Sequence, residues 1–247
     1  MNDRTVLKIT GADRVEFLQG LITNDVAKAD GGIVYAALLT PQGKYLADFF
    51  VVSQPEAILI DVASALAPSL VQRLTMYRLR ADVGIEATDL VVSRGLDDAP
   101  DGALPDPRHP DMGWRAYGDT DLSQDVDWIS RRISAGVPAS GVELTPDSYI
   151  LEMGFERLNG VDFKKGCFVG QEVVARMKHK TTLRKGLAVV RIDGQSATGS
   201  EISADGKTAG TLHSQANGLG LAYLRYDRAN AEMSADGAKI LLERTEF

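Results

Sequence analysis

Apolar residues recur along this chain with two different spacings, and the spacing changes mark the elements. Val6 to Ile9 reads as a short strand, and Gly11-Ala12-Asp13 opens a helix with Val15, Phe17, Leu18 and Leu21 as its apolar positions. Gly31-Gly32 breaks the chain before Ile33 to Leu39, an apolar strand. The turn residues Pro41-Gln42-Gly43-Lys44 then lead into a returning strand, Tyr45 to Val52. Ala57 to Val62 is a further strand. Pro68 to Tyr77 carries Leu70, Val71, Leu74 and Tyr77 at helical spacing, and Val83 to Ala87 and Leu90 to Val92 return to strand. This order predicts an α+β unit with a mainly antiparallel sheet. Trp114 to Tyr117 is a brief strand, and Asp127 to Ala135 a helix ended by Gly136 and Pro138.

The texture changes near Thr182. Gly186 to Ile192, Glu201 to Ser203, Lys207 to Ser214, Gly218 to Leu224 and Ala238 to Glu243 are short strands separated by Gly, Ser, Asp and Asn. Such spacing predicts a small antiparallel barrel. Two domains are expected, residues 1–181 and 182–247, a division the 247-residue length accommodates.

Charge is uneven. The chain carries a net charge of −7, which argues against a nucleic-acid partner, since that class rests on phosphate neutralisation. Between Lys164 and Arg191, eight basic residues face the single acid Glu172. This run is either a solvated helix face or a surface for an anion, such as a folate glutamate tail or an acidic partner. Asp97, Asp98, Asp101, Asp106 and Asp111 alternate with four prolines and read as a long, mobile, acidic surface loop. Met1-Asn2-Asp3-Arg4 has no apolar signal core and no run of about 18 apolar residues occurs, so the expectation is a soluble cytoplasmic protein without a membrane partner.

Chemistry concentrates around one residue. Cys167 is the only cysteine, which excludes an internal disulfide framework and any zinc site of several thiolates. It lies in Lys165-Gly166-Cys167-Phe168-Val169-Gly170-Gln171-Glu172, after Lys164 and before Val173, Val174 and Met177, which share one helix face. A thiol shortly before a helix N-terminus and near ammonium groups favours its thiolate. A lone cysteine is also commonly a small buried hydrophobe, and sequence leaves both readings open. The three histidines are scattered without metal-ligand spacing, and no phosphate loop or dinucleotide fingerprint occurs. Trp128, beside Arg131 and Arg132, offers a flat face and guanidinium groups for an aromatic acid, or packs as core.

The octapeptide followed by Val173-Val174-Ala175-Arg176 resembles the signature of the YgfZ-type folate-binding proteins, relatives of the glycine-cleavage T-protein, an aminomethyltransferase. Further matches are Phe17-Leu18-Gln19-Gly20, Thr23-Asn24-Asp25-Val26, Leu39-Thr40-Pro41-Gln42-Gly43-Lys44 with Asp48, Gly136-Val137-Pro138 and Leu151-Glu152. The resemblance implies a T-protein-like folate-binding module with mainly antiparallel sheets, followed by a small C-terminal β-barrel. It implies tetrahydrofolate or a derivative as cofactor, with Asn24, Trp128, Arg131, Lys165, Gly166, Gly170, Gln171 and Glu172 as candidate binding residues. It also implies a role in assembly or repair of iron–sulfur clusters, with assembly or client proteins as partners. One thiolate supplies one ligand where a common cluster takes four, so Cys167 would hold a transient cluster shared with a partner, or act as a redox thiol. Two alternatives stand: a folate-dependent aminomethyl transferase with a structural Cys167, and a folate-responsive module without chemistry of its own.

Overall fold

The computed structural model describes residues 3–180, 182–229 and 232–246. The first unit starts with β1 (Arg4–Thr10), α1 (Arg14–Gln19), a 3₁₀ turn (Val26–Ala29), β2 (Ile33–Leu39), β3 (Tyr45–Gln54), β4 (Ala57–Ala63), α2 (Ala67–Arg78) and β5 (Gly84–Ala87). The strands form one antiparallel sheet in the order β2-β3-β4-β1-β5. All seven residues of β2 are buried, so its run is apolar rather than alternating. One sheet face packs Leu7, Ile9, Val34, Leu38, Phe49, Val51 and Ile60 against Leu18, Leu21, Leu70 and Leu74 of the α1 and α2 regions. Burial of these apolar side chains is the principal favourable term in holding the layers together.

The opposite face is different. A second antiparallel sheet follows in the chain, β6 (Val91–Gly95), β7 (Leu104–Pro105) and β8 (Trp114–Gly118), in the order β6-β8-β7. Between the sheets lies a buried ionic network. Asp61 on β4 accepts from Arg115 of β8 at 2.6 Å, from Arg4 of β1 at 2.6 Å and from the Tyr117 hydroxyl at 3.0 Å. Arg108 pairs bidentately with Asp106, at 2.9 and 2.7 Å. The Arg115 and Arg108 guanidiniums stand 4.0 and 4.7 Å from the Phe50 ring centre. Asp106 therefore corrects the expectation of a mobile acidic loop: it is 5% exposed because Arg108 and Arg115 neutralise it, while Asp97, Asp98, Asp101 and Asp111 stay exposed.

The second unit opens with α3 (Trp128–Ser134) and irregular chain to Arg157. Helix α4 (Gln171–Lys180) follows the cysteine loop, and six strands come after it: β9 (Lys185–Asp193), β10 (Glu201–Ala204), β11 (Lys207–Ala216), β12 (Leu219–Arg225), β13 (Met233–Ala235) and β14 (Ala238–Thr245). They close into a barrel in the order β10-β11-β12-β9-β14-β13, around Ala188, Val190, Ile202, Leu212, Leu224 and Ile240. The barrel begins where the composition changes, three residues after Thr182.

The two compact units interleave along the chain. The first runs to Val126 and takes in Leu158–Val173; the second is Asp127–Arg157 with Val174 onward. The reason is hydrogen bonding. Leu187 of β9 donates its N–H to the Glu152 carbonyl at 2.7 Å, Arg132 of α3 donates to Ser214 of β11 at 2.6 Å, and the Tyr223 hydroxyl donates to the Glu152 carboxylate at 2.5 Å. These bonds tie Asp127–Arg157 to the barrel.

Candidate functional site

In the first unit, three segments far apart in sequence build one loop. Thr23 donates its hydroxyl to the Gly160 carbonyl at 2.7 Å, accepts from the Ala37 N–H at 2.8 Å, and its carbonyl accepts from Asp162 N–H at 3.0 Å. Asn24, 5% exposed, donates its amide to the carbonyls of Tyr35 at 2.8 Å and Asn159 at 2.7 Å, and accepts from Asp25 N–H. Asp162 accepts from the Lys164 N–H at 2.6 Å and pairs with Lys28 at 2.8 Å; the Lys28 hydrogen bond holds its carboxyl below the ordinary range. Thr23 and Asn24 thus moor the chain that leads to Cys167 onto the edge of the first sheet.

The octapeptide is held on both sides of the thiol. Lys165 donates its ammonium to the carbonyls of Gln19 at 2.7 Å and Ile22 at 2.5 Å, the groups just at and beyond the end of α1. Carbonyls at a helix C-terminus lack intrahelical donors, and a cation is their natural partner. Burial pushes the Lys165 ammonium down to about 8, against the raising effect of Asp25 and Asp162. Phe168 is buried, its N–H donating to the Gln171 side chain at 3.1 Å while Gln171 N–H donates back to the Phe168 carbonyl. Gln171 is the first residue of α4, so this exchange satisfies the helix start.

Gly170 closes the loop. Its φ is +83°, and a Cβ there would lie 2.6 Å from the Thr40 carbonyl oxygen and 3.1 Å from the Gly43 Cα. A Cβ at Gly43 would in turn lie 2.7 Å from that of Val173. The turn Thr40–Lys44 and the octapeptide therefore meet backbone to backbone, as only glycine allows. Gly166 and Cys167 are exposed between these anchors, which overturns the reading of the cysteine as a small buried hydrophobe. Glu172 is also exposed.

Of the residues singled out from sequence, Asn24, Lys165, Gly166, Cys167, Gly170, Gln171 and Glu172 gather in the first unit. Asn24, Lys165 and Gln171 direct their polar atoms at this chain's own backbone. Trp128 and Arg131 belong to the second unit, where half-buried Trp128 begins α3 and Arg131 is exposed. Asp127 caps that helix, accepting from the Ser130 N–H at 3.0 Å. Arg132 pairs at 3.0 Å with buried Glu143.

A cleft of about 510 Å³ in the second unit was not legible from sequence as a unit. Glu152, Met177, Thr182, Leu183, Arg184, Lys185 and Arg225 line it. The basic run supplies two of its cations, but Arg225 comes from β12 and joins them only through the antiparallel pairing of β12 with β9, which sets it opposite Lys185. Burial and the Glu152 carboxylate raise the Tyr223 hydroxyl well above its ordinary range, so it stays a donor to Glu152. Among the described residues no group of three or more His, Cys, Asp or Glu is placed to hold a metal ion. No helix among them is long and apolar enough to cross a membrane.

Comparison with known proteins fits this geometry. Residues 184–247 match the family described as "CAF17, C-terminal beta-barrel domain". A Mycosarcoma maydis protein, "Iron-sulfur cluster assembly factor IBA57 homolog, mitochondrial", is 33% identical over 216 residues, covering 74% of this chain and 54% of its own length. The Homo sapiens factor IBA57, also named as mitochondrial, is 28% identical over 291 residues, covering 98% of this chain and 82% of its own. These likenesses agree with the resemblance to the YgfZ-type, T-protein-like proteins that the motifs carry. The aminomethyltransferase T of the glycine cleavage system from Bartonella henselae superposes on 99% of this chain and 83% of its own with a TM-score of 0.78 and 15% identity, a likeness of fold. The chain spans about half the length of the fungal relative, 54%. The placement of Thr23-Asn24-Asp25, Thr40–Lys44 and the octapeptide explains why these motifs occur together: they are three parts of one loop seat.

Proposed function

We propose that the protein is a folate-dependent accessory factor for the assembly or repair of iron–sulfur clusters, with Cys167 as its working thiol. The observation that carries this reading is the exposed sole cysteine, presented between two anchored residues in a seat built by the family's motifs. The cluster is cargo. Cys167 supplies one thiolate to it, and a partner protein supplies the other ligands, since a common cluster takes four. The named relatives, which are iron–sulfur cluster assembly factors, support the same reading.

The cleft of the second unit suits a reduced folate by its donor set. Glu152, with one oxygen taken by Tyr223, accepts from N–H groups of a pterin edge, and Arg184, Lys185 and Arg225 face glutamate carboxylates. Folate would supply one-carbon or reducing chemistry when bound; the residues here bind and orient it. We place the protein in a reducing compartment, because its lone thiol works reduced; its named relatives are mitochondrial. The test is tetrahydrofolate titration of wild type and Cys167→Ser, with cluster-dependent enzyme activity measured in cells carrying each. Equal folate affinity with lower enzyme activity in the variant is expected. Equal enzyme activity would reject the thiol's role, and no folate binding by either protein would reject the cofactor.

A further inference from the structure

We propose that Lys165 is a positioning residue for Cys167: its ammonium pins the loop that presents the thiol and does not bind the cofactor. The inference rests on the reading of Cys167 as the working thiol and deepens it.

Gly166 and Cys167 are exposed, and a Cβ built on Gly166 would meet nothing within 4 Å. Gly166 has no side chain to pack and open space around it, and the Cys167 side chain is exposed. Their place is therefore set by their neighbours, Lys165 on one side and Phe168 on the other. Phe168 is held by burial and by its exchange with Gln171. Lys165 is held by two carbonyls, that of Gln19 at the end of α1 and that of Ile22 three residues beyond it. The two anchors also touch each other, the ammonium standing 5.1 Å from the Phe168 ring centre.

Lysine suits this task better than its usual substitutes. An ammonium is a compact point charge with three donors, so one atom serves two carbonyls that converge from different residues. A neutral, apolar side chain of the same length would leave both carbonyls unmatched. With two short hydrogen bonds committed to its own backbone, the ammonium is turned toward α1, and a carboxylate ligand would have to compete with that seat. Anchoring on both sides reduces the conformational freedom of the thiol before any partner arrives, and preorganisation of that kind raises affinity and rate without adding a contact.

Because Cys167 is the only cysteine, a nitroxide label attaches there and nowhere else. Labelled wild type, Lys165→Met and Lys165→Arg would be compared by electron paramagnetic resonance. Unlabelled proteins would be compared by thermal unfolding, tetrahydrofolate titration and cluster-enzyme activity in cells. Expected are a motionally restricted spectrum for wild type, a mobile one for Lys165→Met, and recovery toward the restricted spectrum in Lys165→Arg. The Met variant should lower cellular cluster-enzyme activity about tenfold with unchanged tetrahydrofolate affinity. A restricted spectrum in Lys165→Met would overturn the proposal, as would a loss of tetrahydrofolate affinity with the spectrum unchanged. Should Lys165→Met fail to fold, Lys165→Gln carries the same comparison, and the same two outcomes decide it. Cys167→Ser separates the two claims. Full cellular activity in that variant removes the thiol's role, while the label spectra still report whether Lys165 pins the loop.

Discussion

Asp61 is the residue on which the first unit's interlayer turns. It is fully buried and takes hydrogen bonds from Arg4, Arg115 and Tyr117, three side chains from two strands of different sheets. Removing one partner of such a network leaves uncompensated buried charge, so Asp61→Ala should lower stability by about 3–5 kcal/mol, read as a shift in the urea midpoint. Burial alone would push its carboxyl up; Arg115 and Arg4 overcome that and hold it at about 2. A carboxyl depressed on folding contributes stability that is present above its unfolded value and lost as pH falls through its folded one. Stability of the first unit should therefore hold above about pH 4 and decline toward pH 2. Fluorescence of Trp114, in a variant with Trp128→Phe, would follow that unit alone. None of this was legible beforehand. Asp61 sits in an apolar strand run, and Asp106 in a stretch rich in proline and acid; what buries them is arginine contributed from elsewhere in the chain.

Elements with a clear period were legible in sequence: the strands β1 to β4, the helices α2 and α3, and most barrel strands stand within a few residues of their expected positions. The short pieces were not. β7 and β13 have two and three residues, too few for alternation to register. The octapeptide was legible as a loop before a helix because of its glycines, but its seat was not, since the hydrogen bonds that make it join residues more than 130 apart. The approach of Gly170 to Gly43 is the sharpest constraint in that seat. Gly170→Ala combines positive φ with overlap at the Thr40 carbonyl, and should cost about 1–3 kcal/mol and free the loop from its turn. Chemical denaturation, together with faster alkylation of Cys167 than in wild type, would register both effects.

At the scale of the molecule, the chain folds as two compact units whose boundaries cross the sequence three times, a consequence of bonding between Asp127–Arg157 and the barrel. A net charge of −7 conceals the cationic lining that Arg184, Lys185 and Arg225 give the second unit's cleft. Charge reversal there, as Arg225→Glu, should weaken binding of a polyglutamylated tetrahydrofolate by about tenfold or more, and the difference should shrink as salt rises. Titration at two ionic strengths measures it. The most direct test of the whole account is cluster-enzyme activity in cells lacking this protein and supplied with Cys167→Ser at wild-type abundance. The account predicts a folded variant, unfolding at the wild-type temperature, that leaves those enzymes poorly active. Enzyme activity equal to that given by the wild-type chain would contradict it.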